Sequence, residues 1–156
     1  MRQRKPILFV AICAGLMLPS LAFAAVVSTP REVLAQYVIE LQSAPEDQVL
    51  REQIIRLERT MTPSPAVPAD ANRFFVKATI FQQEATDINA ADPLASSARD
   101  FAIFYYREAL LIAPWWPEAY YGLSTSLEAS GRSTEAAAAL KLYAIAVKRD
   151  QGVVKP

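Results

Sequence analysis

Between residues 30 and 148 the apolar positions recur at intervals of three, four and seven, and no window alternates strictly between apolar and polar. That period belongs to amphipathic helices and argues against half-buried strands. Six helices are predicted. After Pro30, the side chains of Leu34, Tyr37, Val38 and Leu41 share one face. Ser43-Ala44-Pro45-Glu46 then reads as a capping box with proline in the first turn. It closes the first helix and opens a second, whose stripe is Leu50, Ile54, Leu57 and Met61. A third helix, from about Ala69 to Glu84, carries Phe74, Ala78, Phe81 and Ala85, and Thr86 to Pro93 reads as a polar loop. The fourth follows Pro93 with Ala98, Phe101, Ala102, Tyr105, Ala109 and Ile112 turned inward. It stops at Ala113-Pro114, because a residue before proline is pushed out of the helical region. Pro117 opens the fifth helix, with Tyr120, Leu123 and Leu127, and Gly131 closes it. The sixth runs from about Thr134 to Lys148.

The ends of this pattern differ in kind. Arg2, Arg4 and Lys5 precede an apolar run from Ile7 to about Leu21, followed by small residues at Ala22 and Ala24. This has the form of a signal peptide cut after Ala24. An uncleaved anchor is the alternative, and would be the chain's only membrane attachment. Cys13 follows Val10-Ala11-Ile12, and the bulky Ile12 stands where a lipoprotein signal carries a small residue. The sequence is therefore expected to be exported to the periplasm or cell envelope of a bacterium. Thr62 to Pro68 holds three prolines and forms a stiff, extended connector. The chain divides into a leader at 1–24, a leading hairpin at 25–62, a proline-rich linker at 63–68, a helical body at 69–150 and a tail at 151–156.

Composition narrows the chemistry. The 156 residues include 16 basic and 16 acidic side chains, no histidine, one cysteine and four glycines. Without histidine there is no Ser-His-Asp or Cys-His catalysis and no histidine-bound zinc. A balanced charge lacks the basic field that nucleic acid attracts, so no nucleic-acid partner is expected. Removing the leader leaves 132 residues with a net charge of minus three and no cysteine, so burial alone must hold the fold.

Ala102, Tyr106, Ala109 and Pro114 have the spacing of the small, aromatic, small and proline slots of a repeat's second helix. Tyr120, Leu123, Leu127, Gly131, Ala136 and Leu140 continue in register. The stretch from Phe101 to Leu140 resembles a tetratricopeptide repeat array, in which each repeat of ~34 residues is one helical hairpin. Ser124 replaces the usual glycine and Tyr143 the late alanine. Phe74, Ala78 and Phe81 match a preceding first helix, but Ala78 to Ala102 is twelve residues too long, which implies a loop near Thr86 to Ser97. The leading hairpin keeps the register with larger residues at Val38, Leu50 and Leu57. Its Leu50 to Leu57 phrase, with Ala113-Pro114-Trp115-Trp116 and Ala119-Tyr120-Tyr121, is similar to a group of exported bacterial proteins of this repeat type.

The resemblance implies an all-α fold, a short solenoid of about three antiparallel hairpins, and a scaffold that binds protein or peptide without catalysis or cofactor. In such arrays the first helix of each hairpin lines the concave side. The partner-binding set is then Asn72, Phe75, Thr79 and Gln82 with Glu118, Tyr121, Thr125 and Glu128. No basic clamp for a partner's terminal carboxylate is present among them. Trp115 and Trp116, at a tight turn, are candidates for aromatic contact with a sugar or peptide, which would make a glycan-binding module. Glu118 and Glu128 are ~15 Å apart by helical rise, too far for a glycosidase pair. Asp87, Asp92 and Asp100 lack calcium-loop spacing. From Ala136 to Val147 only Lys141 is polar, an unusual outer helix for a repeat array. That helix, through Ala139, Leu142 and Ile145, is expected to be covered by a second copy, by a partner in an envelope complex of which the protein is a structural subunit, or by the inserted loop near Thr86 to Ser97.

Overall fold

The structure is a computed structural model describing residues 28–147. The expected signal segment with its cleavage site, and the tail 151–156, lie outside the described residues. Among the described residues there are six helices and no strand. They are α1 (Pro30–Ser43), α2 (Gln48–Arg59), α3 (Ala69–Asp87), α4 (Pro93–Ile112), α5 (Pro117–Ala129) and α6 (Ser133–Val147).

Local chemistry sets the helix ends. Thr29 Oγ1 accepts from the Glu32 amide, and the Glu32 carboxylate accepts from the Thr29 amide at 2.7 Å, a capping box with Pro30 in the first turn. The box expected at Ser43–Glu46 does not form. Ser43 is the last residue of α1, and Asp47 caps α2 by accepting from Val49 and Leu50 amides at 2.9 Å each. One carboxylate oxygen there holds two orphan amides, which competes successfully with a serine four residues earlier. At the other end of α5, Gly131 takes φ +74°, and the Arg132 amide reaches back to the Leu127 carbonyl at 2.9 Å. This is the left-handed stop that glycine permits.

The loop expected near Thr86 to Ser97 is mostly helix. α3 continues to Asp87 and α4 begins at Pro93, so the added residues lengthen the pair to 19 and 20 residues. An alanine at every seventh position explains the length. Ala71, Ala78 and Ala85 on α3, with Ala95, Ala102 and Ala109 on α4, are all buried. Small side chains at heptad spacing let two antiparallel helices lie close along their whole length. Rings flank the seam. Phe81 lies 5.6 Å from Tyr105 and 5.1 Å from Phe101 on one side, and Phe75 meets Tyr106 edge-on at 5.6 Å on the other. Phe101 and Tyr105, expected inside, are respectively exposed and half-buried, while Ile103, Tyr106 and Leu110 take the interior.

α3 to α6 pack in chain order, α3 on α4, α4 on α5 and α5 on α6. The leading hairpin departs from that order. α1 rests on α4 and α2 on α6, and neither approaches α3. Two faces of α2 make this possible. Leu50 and Ile54 close a core with Leu34, Leu41 and Met61, to which Leu111 and Trp115 are added from the end of α4 and the turn beyond it. Ile55, one residue on, is fully buried in the main core with Tyr106, Tyr120 and Leu142.

Arg51 fixes the joint. It is 6% exposed, and its guanidinium donates to the Pro45 carbonyl at 2.8 and 3.1 Å and to the Leu110 carbonyl at 3.2 Å. Leu110 would normally accept from the amide four residues later, but that residue is Pro114, which has none. α2 therefore supplies the donor that proline removes from α4, at the negative end of the helix dipole.

The same docking covers α6. Ala139 is 5% and Leu142 3% exposed, Ile145 is packed against the main core, and Arg59 Nη1 donates to the Ile145 carbonyl at 3.4 Å. Of the expected oligomer face, Ala139 and Leu142 are thus buried and Ile145 half-buried within the chain itself, where α5 and, to a smaller extent, α2 pack on α6. What α6 leaves outward is Leu140 and Val147, with Lys141, whose ammonium is 3.6 Å from Glu52 of α2.

Candidate functional site

Because α3 and α5 are the first helices of consecutive hairpins and touch each other, their outward faces meet in a groove of about 290 Å³. Its floor depends on Gly122. A β-carbon there would stand 2.3 Å from Tyr106 Cζ, so only glycine lets the Tyr106 ring slide beneath α5. Phe75, Tyr121 and Tyr143 form the walls. Tyr121 and Tyr143 are 5.6 Å apart between ring centres, and Phe75 rests on Trp116 at 4.5 Å.

Polar atoms enter at two places. The Tyr106 hydroxyl donates to Gln82 Oε1 at 2.6 Å, leaving the Gln82 amide nitrogen turned to other work. Burial pushes the Tyr106 phenol up to about 12, so it stays neutral through the physiological range. Glu118, in the first turn of α5, is the only charged side chain among the described residues that line the groove. Among the described residues it has neither a hydrogen-bond nor an ion-pair partner.

The groove brings together Phe75, Gln82, Glu118 and Tyr121 of the eight expected positions. The other four lie elsewhere. Asn72 borders a separate hollow with Arg73, Lys77 and Ile112. Thr79 Oγ1 donates to the Phe75 carbonyl at 2.8 Å and Thr125 Oγ1 to the Tyr121 carbonyl at 3.0 Å, each bound to its own helix. Glu128 accepts from Ser133 at 3.4 Å across the turn between α5 and α6. Sequence reasoning missed Gly122, Tyr143 and Val147 as lining residues. The signal for Tyr143 was present, since a ring where the repeat expects alanine reaches across to Tyr121.

Trp115 and Trp116 serve two interiors. Trp115 packs against the leading hairpin's core and Trp116 against the main one. Both also border a hollow of about 680 Å³ beside Ser64, Pro65 and Val67. The Trp115 indole nitrogen is buried there without a partner among the described residues. Asp92 caps α4 through the Leu94 amide at 2.9 Å, and Asp87 accepts from Gln83 at 2.8 Å. No group of three or more acidic, cysteine or histidine side chains among the described residues is placed to hold a metal ion. No described helix is long and apolar enough to cross a membrane.

No protein family, curated protein or solved structure matches the chain.

Proposed function

We propose that the protein is an exported scaffold of tetratricopeptide-repeat type that binds a segment of a partner protein in the groove between α3 and α5, without catalysis. The leading hairpin braces the second helices, α4 and α6, and leaves the first helices free to face the partner. The observation that carries this reading is the meeting of Phe75, Gln82, Glu118 and Tyr121 around one hollow. At about 290 Å³ it has room for one or two side chains of a longer chain. Its titratable groups suit recognition. Tyr106 is committed to Gln82 and held up to about 12, far from the range a general acid or base needs near neutrality.

Affinity capture from an extract of the source cells, with the wild type and Tyr121→Ala side by side, tests the reading. Tyr121 is 57% exposed, so its loss spares the fold. A partner retained by the wild type and lost by a fully helical Tyr121→Ala supports the proposal. Equal retention by both contradicts it.

A further inference from the structure

Resting on that reading, we infer that the groove selects a lysine or arginine side chain of its partner, held between aromatic faces and closed by Glu118. Three rings, Phe75, Tyr121 and Tyr143, line a space whose single charge among the described residues is the Glu118 carboxylate, which has no partner among them. Ring faces carry partial negative charge and attract cations. The Glu118 carboxylate adds a full negative charge, and among the described residues no basic side chain lines the groove to oppose it. An acidic side chain entering would meet repulsion from Glu118. A neutral aliphatic one would find contact area but leave Glu118 without a partner.

The same fold shows the cation at a neighbouring site. Lys77 places its ammonium 5.3 Å from the Tyr105 ring centre and 6.0 Å from that of Phe74. That pair of rings on the outer flank of α3 and α4 is already supplied from within the chain. The groove has the rings and the carboxylate but no lysine or arginine among its described lining residues. Gln82 adds a directional element. With its oxygen engaged by Tyr106, its amide nitrogen is the donor left for a carbonyl of the incoming backbone. A basic side chain on an extended segment satisfies both groups at once.

A displayed library of random twelve-residue peptides selected on the full chain, followed by titration of the winners, tests the inference. The expected result is enrichment of one lysine or arginine position. Replacing that residue in the peptide by norleucine, or Glu118 in the protein by Gln, weakens binding about tenfold, and Tyr121→Ala does the same. Selected peptides with an acidic or neutral anchor that still need Tyr121 overturn the basic selectivity and leave the scaffold reading standing. Basic peptides whose affinity is unchanged in Glu118→Gln also overturn it. Selection that enriches nothing, in the wild type and in the K148A/R149A variant alike, overturns both readings. Binding seen only in K148A/R149A assigns the groove to the basic residues that follow Val147 in this chain and overturns the partner.

Discussion

Gly122 and Tyr106 are closely fitted. Adding one methyl group at Gly122 puts carbon 2.3 to 2.6 Å from two ring carbons and the hydroxyl oxygen of Tyr106, a side chain that is 1% exposed. Gly122→Ala is expected to lower stability by about 1–3 kcal/mol, measured by urea unfolding. Adding Tyr106→Leu to it should cost less than the sum of the two single changes, because the second removes the atoms the first strikes. Burial of the same phenol predicts an alkaline limit. In the unfolded chain a tyrosine ionises near ~10, whereas in the fold Tyr106 holds its proton to about 12. The unfolded state therefore loses the proton first, and the stability gained from the neutral phenol is complete below pH ~10 and declines as pH rises through about 12. Urea midpoints measured across that window should fall, with absorbance at ~295 nm reporting tyrosinate, and the fall should be shallower in Tyr106→Phe. Tyr106 was legible from sequence as a packing residue at an aromatic slot. Its closeness to Gly122 was not, since a glycine inside a helical stretch gives no sign of which neighbour needs the space.

At the scale of elements, helix number, order and most boundaries were readable because the apolar spacing is strong and prolines stand at 30, 93, 114 and 117. The errors arose where two signals competed. Asp47 outbid Ser43 as a cap, and α3 runs three residues past its expected end at Glu84, with Ala85 of the alanine seam buried there, while α4 begins at Pro93 as expected. The hidden feature was the second face of α2. Arg51 and Ile55 lie four apart and both are buried, yet an arginine reads as solvent-facing in any hydrophobic pattern. Its burial follows from a vacancy elsewhere in the chain, the amide that Pro114 lacks. Arg51→Met keeps most of the packing volume and removes the donors to Pro45 and Leu110. It is expected to cost about 1–3 kcal/mol in urea unfolding, with Arg51→Lys recovering only part, because a single ammonium does not reproduce the guanidinium fork.

At the scale of the whole molecule, the leading hairpin turns back over α4 and α6, and this arrangement decides which surfaces face outward. In a linear stack of three hairpins α6 would pack on α5 alone, whereas here α2 packs on it as well. In the observed packing Ala139 is 5% exposed while Leu140, beside it, is 45% exposed. Ala139→Glu should therefore unfold the protein, lowering stability by about 3 kcal/mol or more, while Leu140→Glu changes it by no more than about 0.5 kcal/mol. The α3–α5 groove was half legible. Repeat-like register named α3 and α5 and found four of the lining positions, but helix phase alone did not show that Thr79 and Thr125 bind their own backbones. The account stands on the α3–α5 groove being where a partner segment sits. Hydrogen–deuterium exchange of the protein with and without a captured partner tests this most directly. Slowed exchange in residues 75–82 and 118–122, with α6 and the 62–68 connector unchanged, is the predicted result, and protection confined to the connector or to the outer side of α6 would contradict it.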